Sequence, residues 1–516
     1  MPTFKDRIIA ALSWSMLAAS TLGPGSVVVC SVSGASYGLH LLWCLLLACF
    51  LAATLFEASG RLAIHSGLSL GQAIRRKYSK SPGKTPVVCW LAAFGIVVGN
   101  TAYIANNFAG GMAAVFVVFE ESAIGRVIAS LVFGFAIIVL VSGFKLACIS
   151  KALGSIVCGM TLTFAVAACF IGASANDIMY GLAPSIPHGS AVLILSLIGT
   201  TIIPYNLFLA ATIASQYSVS EMRHGVKIAM CVTFVASAFI TVVGTSVDGG
   251  VSSFTVARLA SAIRNAIGVQ PQICFALGLV CAAFSACIGC TTSAALCLQT
   301  LLFERCPDCE NVVKHESETL ESEEREERSS THEVASRGSY DERASPESTF
   351  RVLMVSMVGV GVFVGASNID TVSVVLTAQV VNGCLLPGVA AALMLCVNDA
   401  KLMRGQPQTI YQNCLMYFSL ACTIFLSSIA LISKLLLLGG QFAGDLWIWV
   451  SAAISVIIGT VFLRRSIVSQ VCEPSPPGAA NQAEDCDGIS NCAIGRHQCF
   501  EDEDLNPTQS LGSFRQ

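Results

Sequence analysis

Long apolar runs follow one another through most of this chain, and two of them are interrupted mid-run by short polar segments carrying a proline. The first interruption is Gly23-Pro24-Gly25-Ser26 and the second is Thr200-Thr201-Ile202-Ile203-Pro204-Tyr205-Asn206. An apolar run of roughly 20 residues is long enough to cross a bilayer as a helix. A break inside such a helix frees N–H and C=O groups that lipid cannot satisfy, so it persists only where it lines a cavity or a bound solute. Pro24 and Pro204 stand about 180 residues apart, close to five spans. An odd number of spans per repeat inverts the second copy relative to the first. The pattern predicts two inverted five-helix repeats whose broken helices meet at a transport site near mid-membrane. Two unrelated proline kinks are the competing explanation, and they leave the polar residues at both breaks unexplained.

Composition agrees with that reading. Of 516 residues, 54% are hydrophobic and 12% charged, which excludes an ordinary soluble domain. About 12 spans are predicted, near 8–36, 38–62, 87–118, 126–144, 152–174, 189–215, 227–244, 271–303, 351–367, 370–397, 411–437 and 446–463. The architecture expected is an all-α polytopic membrane protein, with about two peripheral helices beyond the repeats. The net charge of −3 gives no basic surface for nucleic acid. The 23 cysteines are scattered, many inside spans, where cysteine acts as a small apolar residue. Lys5 and Arg7 ahead of the first apolar run imitate a signal peptide, but the run is too long for one. Basic residues cluster after even-numbered spans: Arg75, Arg76, Lys77, Lys80, Lys84, then Lys145 and Lys151, Arg223 and Lys227, Lys401 and Arg404, Arg464 and Arg465. The positive-inside rule then predicts both termini in the cytoplasm, with Arg258 and Arg264 as exceptions in an outside loop.

The organisation expected is spans 1–8 over residues 1–303, an acidic disordered cytoplasmic linker over 304–350, spans 9–12 over 351–465 and a polar cytoplasmic tail over 466–516. The linker holds Cys306-Pro-Asp-Cys309, the spacing of a metal or redox pair, but no second pair accompanies it. Cys472, Cys486, Cys492, His497 and Cys499 in the tail are expected as free thiols.

Several segments resemble the NRAMP family of proton-coupled divalent-metal transporters, which have a LeuT-like fold. Gly23-Pro24-Gly25-Ser26 resembles the family's Asp-Pro-Gly-Asn motif, and Ile203-Pro204-Tyr205-Asn206 resembles its Met-Pro-His-Asn motif. Glu57-Ala-Ser-Gly-Arg-Leu-Ala and Leu70-Gly-Gln-Ala-Ile-Arg-Arg-Lys-Tyr78 resemble the segments after its second span. Ala378-Gln379-Val-Val-Asn382-Gly-Cys-Leu-Leu-Pro387 resembles its tenth helix, and Asn398-Asp399-Ala-Lys-Leu402-Met403 the loop beyond. The resemblance implies metal held by the Asp and Asn of the first motif, the Met of the second and a nearby carbonyl. The matching positions here are Gly23, Ser26, Ile203 and Thr200. The carboxylate and the thioether, a soft ligand suited to transition metals, are both replaced. The second-motif His is Tyr205, a following His matches Ala210, and span three has no acidic residue.

What remains is a neutral site. Two half-helix N-termini near Ser26 and Tyr205 present N–H groups and partial positive charge, and two C-termini near Leu22 and Ile202 present carbonyls. Ser26, Thr200, Thr201, Tyr205, Asn206 and Gln379 add polar side chains beside Gly23, Pro24, Gly25, Ile203 and Pro204. Such a set suits a small anion such as bicarbonate, with Na⁺ as coupling ion, or a hydrated divalent ion held in the same cavity with H⁺ coupling as the family implies. It also allows the groups to do no more than satisfy the broken helices. A membrane sensor is a third reading. A carrier rather than an enzyme is expected, without a cofactor, and with membrane lipid as its surroundings. Glu57 and Arg61 are expected as an i,i+4 ion pair or a gate contact. His40 and His65 are placed at the interface. Asn100, Asn106 and Asn107 line the path or bond between helices. Gly110-Gly111 fits close helix packing.

Overall fold

The computed structural model describes residues 21–79, 85–143, 146–303, 346–406 and 408–439, all helix and loop with no strand among them. The first interrupted run resumes as α1 (Pro24–Tyr37), followed by α2 (Leu42–Ser66) and the short α3 (Leu70–Tyr78). Next come α4 (Val87–Val118), α5 (Ala123–Gly143), α6 (Leu146–Ile171) and the short α7 (Ala175–Gly181). The second interrupted run is α8 (Ala191–Thr201) and α9 (Pro204–Ala214), leading into α10 (Val219–Gly244). A loop with α11 (Gly250–Ser253) and α12 (Val256–Ile267) precedes α13 (Val269–Leu298), which ends in a π turn over Gln299–Phe303. The last three are α14 (Pro346–Ala366), α15 (Thr371–Val397) and α16 (Ile410–Gly439).

Nine spans among the described residues are long and apolar enough to cross a membrane, counting 191–214 as one. The protein is an integral, multi-pass membrane protein. Bulky side chains such as Trp90, Leu91 and Phe94 on α4 and Leu131, Val132 and Phe135 on α5 point outward, as a lipid-facing surface requires. The expected twelfth span at 446–463, the opening of the first at 8–20, the linker residues 304–345 and the tail lie outside the described residues.

Where boundaries shift, local chemistry accounts for it. Span seven starts at Val219 rather than 227 because Ser218 and Glu221 form a capping box. The same device, Ser69 with Gln72, starts α3, a helix in a stretch expected only as a cytoplasmic segment. Span two runs to Ser66, where Gly67 takes the left-handed conformation (φ 71°) and stops it. α14 begins at Pro346, inside the stretch expected to belong to the linker. The loop between α10 and α13 holds α12, unexpected from the sequence; it buries Val256, Leu259, Ala260 and Ile263 on one face and exposes Arg258 and Arg264 on the other.

Small residues set the distances between helices. α10 packs on α1 and α2, α13 on α4 and α6, and α15 on α4 and α8. At the crossing of α1 and α10, a side chain on Gly34 would strike the Thr241 carbonyl and one on Gly244 would strike that of Ser31. Gly110 leaves room for Pro24, and Gly111 for Ala283, which confirms close packing at that pair.

Candidate functional site

Both interrupted runs are broken where proline dictates. Gly23 caps α1 in an extended conformation (φ −88°, ψ −177°) with Pro24 at the first helical position, and Ile203 caps α9 (φ −82°, ψ 128°) with Pro204 likewise. Proline lacks the N–H that the preceding half-helix would need, yet its fixed φ favours starting a new helix. Neither N-terminus has a side-chain cap.

The fold brings the two breaks together. Ser26 Oγ lies 2.9 Å from Thr200 Oγ1 and also donates to the Thr21 carbonyl just ahead of the first break. Thr21 Oγ1 is 3.2 Å from Thr233 Oγ1 on α10. Asn206 donates its backbone N–H to the Ile203 carbonyl at 3.0 Å. Ser26, Thr200, Tyr205, Asn206 and Gln379 are all buried, so the structure is closed around them. Gly23 and Pro24 are buried at the same junction. Thr201 contributes little, since its hydroxyl donates back to the Leu197 carbonyl at 2.9 Å. Ile203 is buried in an apolar cluster with Tyr103, Tyr205, Ala286 and Cys287. The rings of Tyr103 and Tyr205 meet edge to face with centroids 5.9 Å apart.

Gln379 reaches from α15 to the first break, where its amide nitrogen faces the bare backbone of Gly25. Its neighbours were only partly legible. Tyr103 Oη, both polar atoms of Asn106, both of Gln379 and both of Asn382 are buried with no hydrogen-bond partner in the protein. An unsatisfied buried polar atom costs about 1–3 kcal/mol, so this group together rivals the whole net stability of a typical domain, about 5–15 kcal/mol. Clusters of this kind are kept where a bound solute or ordered water satisfies them. Asn382 stands against Gly99, with Oδ1 2.9 Å from the place of a Cβ there.

The asparagines of span three divide between the two roles expected of them. Asn100 bonds between helices, its Nδ2 donating to the Cys290 carbonyl at 3.3 Å while Cys290 Sγ returns to the Asn100 carbonyl at 3.4 Å. Asn106 instead faces the first break. Tyr103, Asn106, Asn107 and Gly110 fall on one face of α4 by helical spacing, and this polar stripe in an apolar helix was the available signal.

Toward the cytoplasmic end expected from charge, Glu57 receives Arg61 at 3.2 and 3.3 Å and also Arg223 of α10 at 2.9 Å. The expected pair is present, with a second arginine the sequence did not suggest. Lys77 of α3 pairs with Asp399 at 2.7 Å, joining two of the motif-bearing segments. His40 is exposed and His65 half-buried at the helix end.

The profile described as Natural resistance-associated macrophage protein-like (Nramp) matches residues 15–433. The chain belongs to the Nramp family. It is 23% identical over 298 residues to the divalent metal cation transporter MntH of Staphylococcus saprophyticus, covering 54% of this chain and 64% of that protein. It is 24% identical over 248 residues to natural resistance-associated macrophage protein 2 of Mus musculus, covering 44% of this chain and 42% of that one. The matched region is thus under two thirds of the length of these curated relatives. Among solved structures, it resembles the Eremococcus coleocola manganese transporter with a TM-score of 0.60 at 16% identity, covering 91% of this chain and 97% of the other. At that identity the likeness carries the fold alone, which is LeuT-like with two inverted repeats.

Proposed function

We propose that this Nramp-family chain is a secondary transporter that moves an ion across a membrane by alternating access about its two broken helices, with both termini in the cytoplasm. The observation that carries the proposal is the 2.9 Å contact of Ser26 and Thr200, which joins the two breaks inside a buried site. Freed carbonyls and N–H groups at the breaks supply ligands without a permanent charge. The Staphylococcus saprophyticus relative is a divalent metal cation transporter, and in this reading the cargo is a divalent cation.

With Gly23 and Ile203 in place of carboxylate and thioether, the site holds it through the Ser26 and Thr200 hydroxyls and the freed carbonyl oxygens. Such hard donors select hard ions over soft ones, and a cation bound without a carboxylate keeps part of its water shell. Both breaks and α4 lack an acidic or histidine side chain to carry a proton, so Na⁺ is the coupling ion this chemistry favours over H⁺.

A specific observation favours a second reading, a small anion such as bicarbonate. Both half-helices begin at the site without side-chain caps and direct their positive ends toward it. Purified protein in liposomes separates the two. Saturable uptake of Mn²⁺, Mg²⁺ or Ca²⁺ with weak discrimination among them is expected. Absence of divalent uptake, together with Na⁺-dependent bicarbonate flux, would replace the first reading with the second.

A further inference from the structure

The first turn of α1 is surrounded by polar side chains without partners, and the amide nitrogens of two of them are the atoms nearest it. A side chain on Gly25 would overlap the amide nitrogen of Gln379 and lie 2.9 Å from that of Asn106. Both carboxamides are completely buried, and neither has a partner in the protein. Tyr103 Oη, equally buried and unpartnered, stands 3.2 Å from the place of a Cβ on Gly23. Pro24 has no N–H and that of Val27 reaches the Gly23 carbonyl, so the amides of Gly25 and Ser26 lead the uncapped helix. The positive end of the helix dipole falls at the same place. The three helices that form the notch, α1, α4 and α15, contain no Asp or Glu.

We propose that this notch is a small-anion subsite that binds chloride or bicarbonate, held by the Gln379 and Asn106 amides, the Tyr103 hydroxyl and the N-terminus of α1. The inference rests on reading the breaks as the ion site, and adds that an exogenous anion supplies the negative charge absent from Gly23. Cargo at the Ser26 and Thr200 hydroxyls and an anion at the amides would then lie on neighbouring sides of one helical turn. A cation in the notch would face amide nitrogens and the positive helix end, which opposes it.

The test is the melting temperature of the detergent-purified full chain in sodium gluconate, with chloride or bicarbonate substituted at constant Na⁺, ionic strength and pH. A saturable rise is expected, because a ligand that binds the folded state stabilises it by mass action. Whichever of chloride and bicarbonate acts at lower concentration is the better-fitting occupant. Gln379→Leu should weaken the apparent anion affinity at least about 10-fold, while melting in gluconate no lower than wild type because an unpartnered polar group is gone. Asn106→Leu makes the same comparison from the other helix if the first variant does not fold.

A flat wild-type titration overturns the proposal, and so does an unchanged response in the folded variants. The readout needs neither cargo nor transport. A chain that binds the anion but carries no ion would overturn the transport reading alone, and transport without an anion response would overturn only the subsite.

Discussion

Glu57→Gln removes the charge that two arginines share while keeping the side-chain shape. Arg61 meets both carboxylate oxygens, at 3.2 and 3.3 Å, and its side chain is 5% exposed. Breaking a buried ion pair by removing one partner costs about 3–5 kcal/mol, because a charge is left uncompensated. Glu57 itself is 20% exposed, and glutamine retains one acceptor oxygen, which brings the loss at Arg61 toward about 2 kcal/mol. Arg223, 41% exposed, adds no more than about 1 kcal/mol. The expected total is about 2–3 kcal/mol, or a fall in melting temperature of about 2–3 °C for a chain of this size. Arg61→Met supplies the control. Alone it leaves Glu57 paired with Arg223; combined with Glu57→Gln it removes the stranded charge and should recover much of the loss. Melting of the four proteins closes the cycle, with an expected coupling of about 1–2 kcal/mol. A Glu57→Gln protein within about 0.5 kcal/mol of wild type, or a double variant equal to the sum of the singles, would refute the buried-pair argument.

Three further outcomes follow from the same geometry. Gly23→Asp with Ile203→Met restores the two replaced ligand types, and should raise Mn²⁺ affinity by at least about 10-fold by calorimetry; the Tyr103 hydroxyl, 3.2 Å from the new Cβ, has to give by a few tenths of an ångström. Unchanged Mn²⁺ affinity would mean that Gly23 and Ile203 do not face the ion. Ser26→Ala removes the hydroxyl that joins the breaks and should raise KM for uptake about 10-fold with the melting temperature nearly unchanged, whereas a normal KM would place the ion elsewhere. Gly199→Ala would drive a methyl into the Gln379 carbonyl, so it should lower the yield of monodisperse protein by gel filtration, and normal yield and melting would show that α8 and α15 can move apart.

The parts of this molecule that were legible in the sequence are those controlled by backbone chemistry. The breaks before Pro24 and Pro204 appear where proline removes an N–H, and the spans follow apolar length. The helix starts at Ser69 and Ser218 carried their signal in a glutamine and a glutamate three residues on, but that signal competes with the apolar periodicity that otherwise sets span limits. α12 was hidden for a related reason. It is too polar to span, and its buried face shows only as Val256, Leu259, Ala260 and Ile263 at helical spacing. The site itself was half visible. Ser26, Thr200, Gln379 and Asn382 lie in the breaks and motifs and Asn106 in the polar stripe of span three, whereas Tyr103 acts through a tertiary contact between helices far apart in the chain. Arg223 reaches Glu57 for the same reason, and no local pattern announces it.

The replaced ligands therefore do not describe a site that has simply decayed. A cavity that no longer holds an ion gains stability by filling with apolar side chains, since each buried polar atom without a partner costs about 1–3 kcal/mol. The second break has moved in that direction, with Ile203 packed among Tyr103, Tyr205, Ala286 and Cys287. The first break has not. Around Gly23 and Gly25 the fold directs a tyrosine hydroxyl and two carboxamides from α4 and α15 toward the bare backbone of the first turn. Two polar walls with unsatisfied groups, meeting at an uncapped helix end, are stable together only if something charged or polar completes them. That requirement makes the first break the place to look for the bound ion, whatever sign its charge carries.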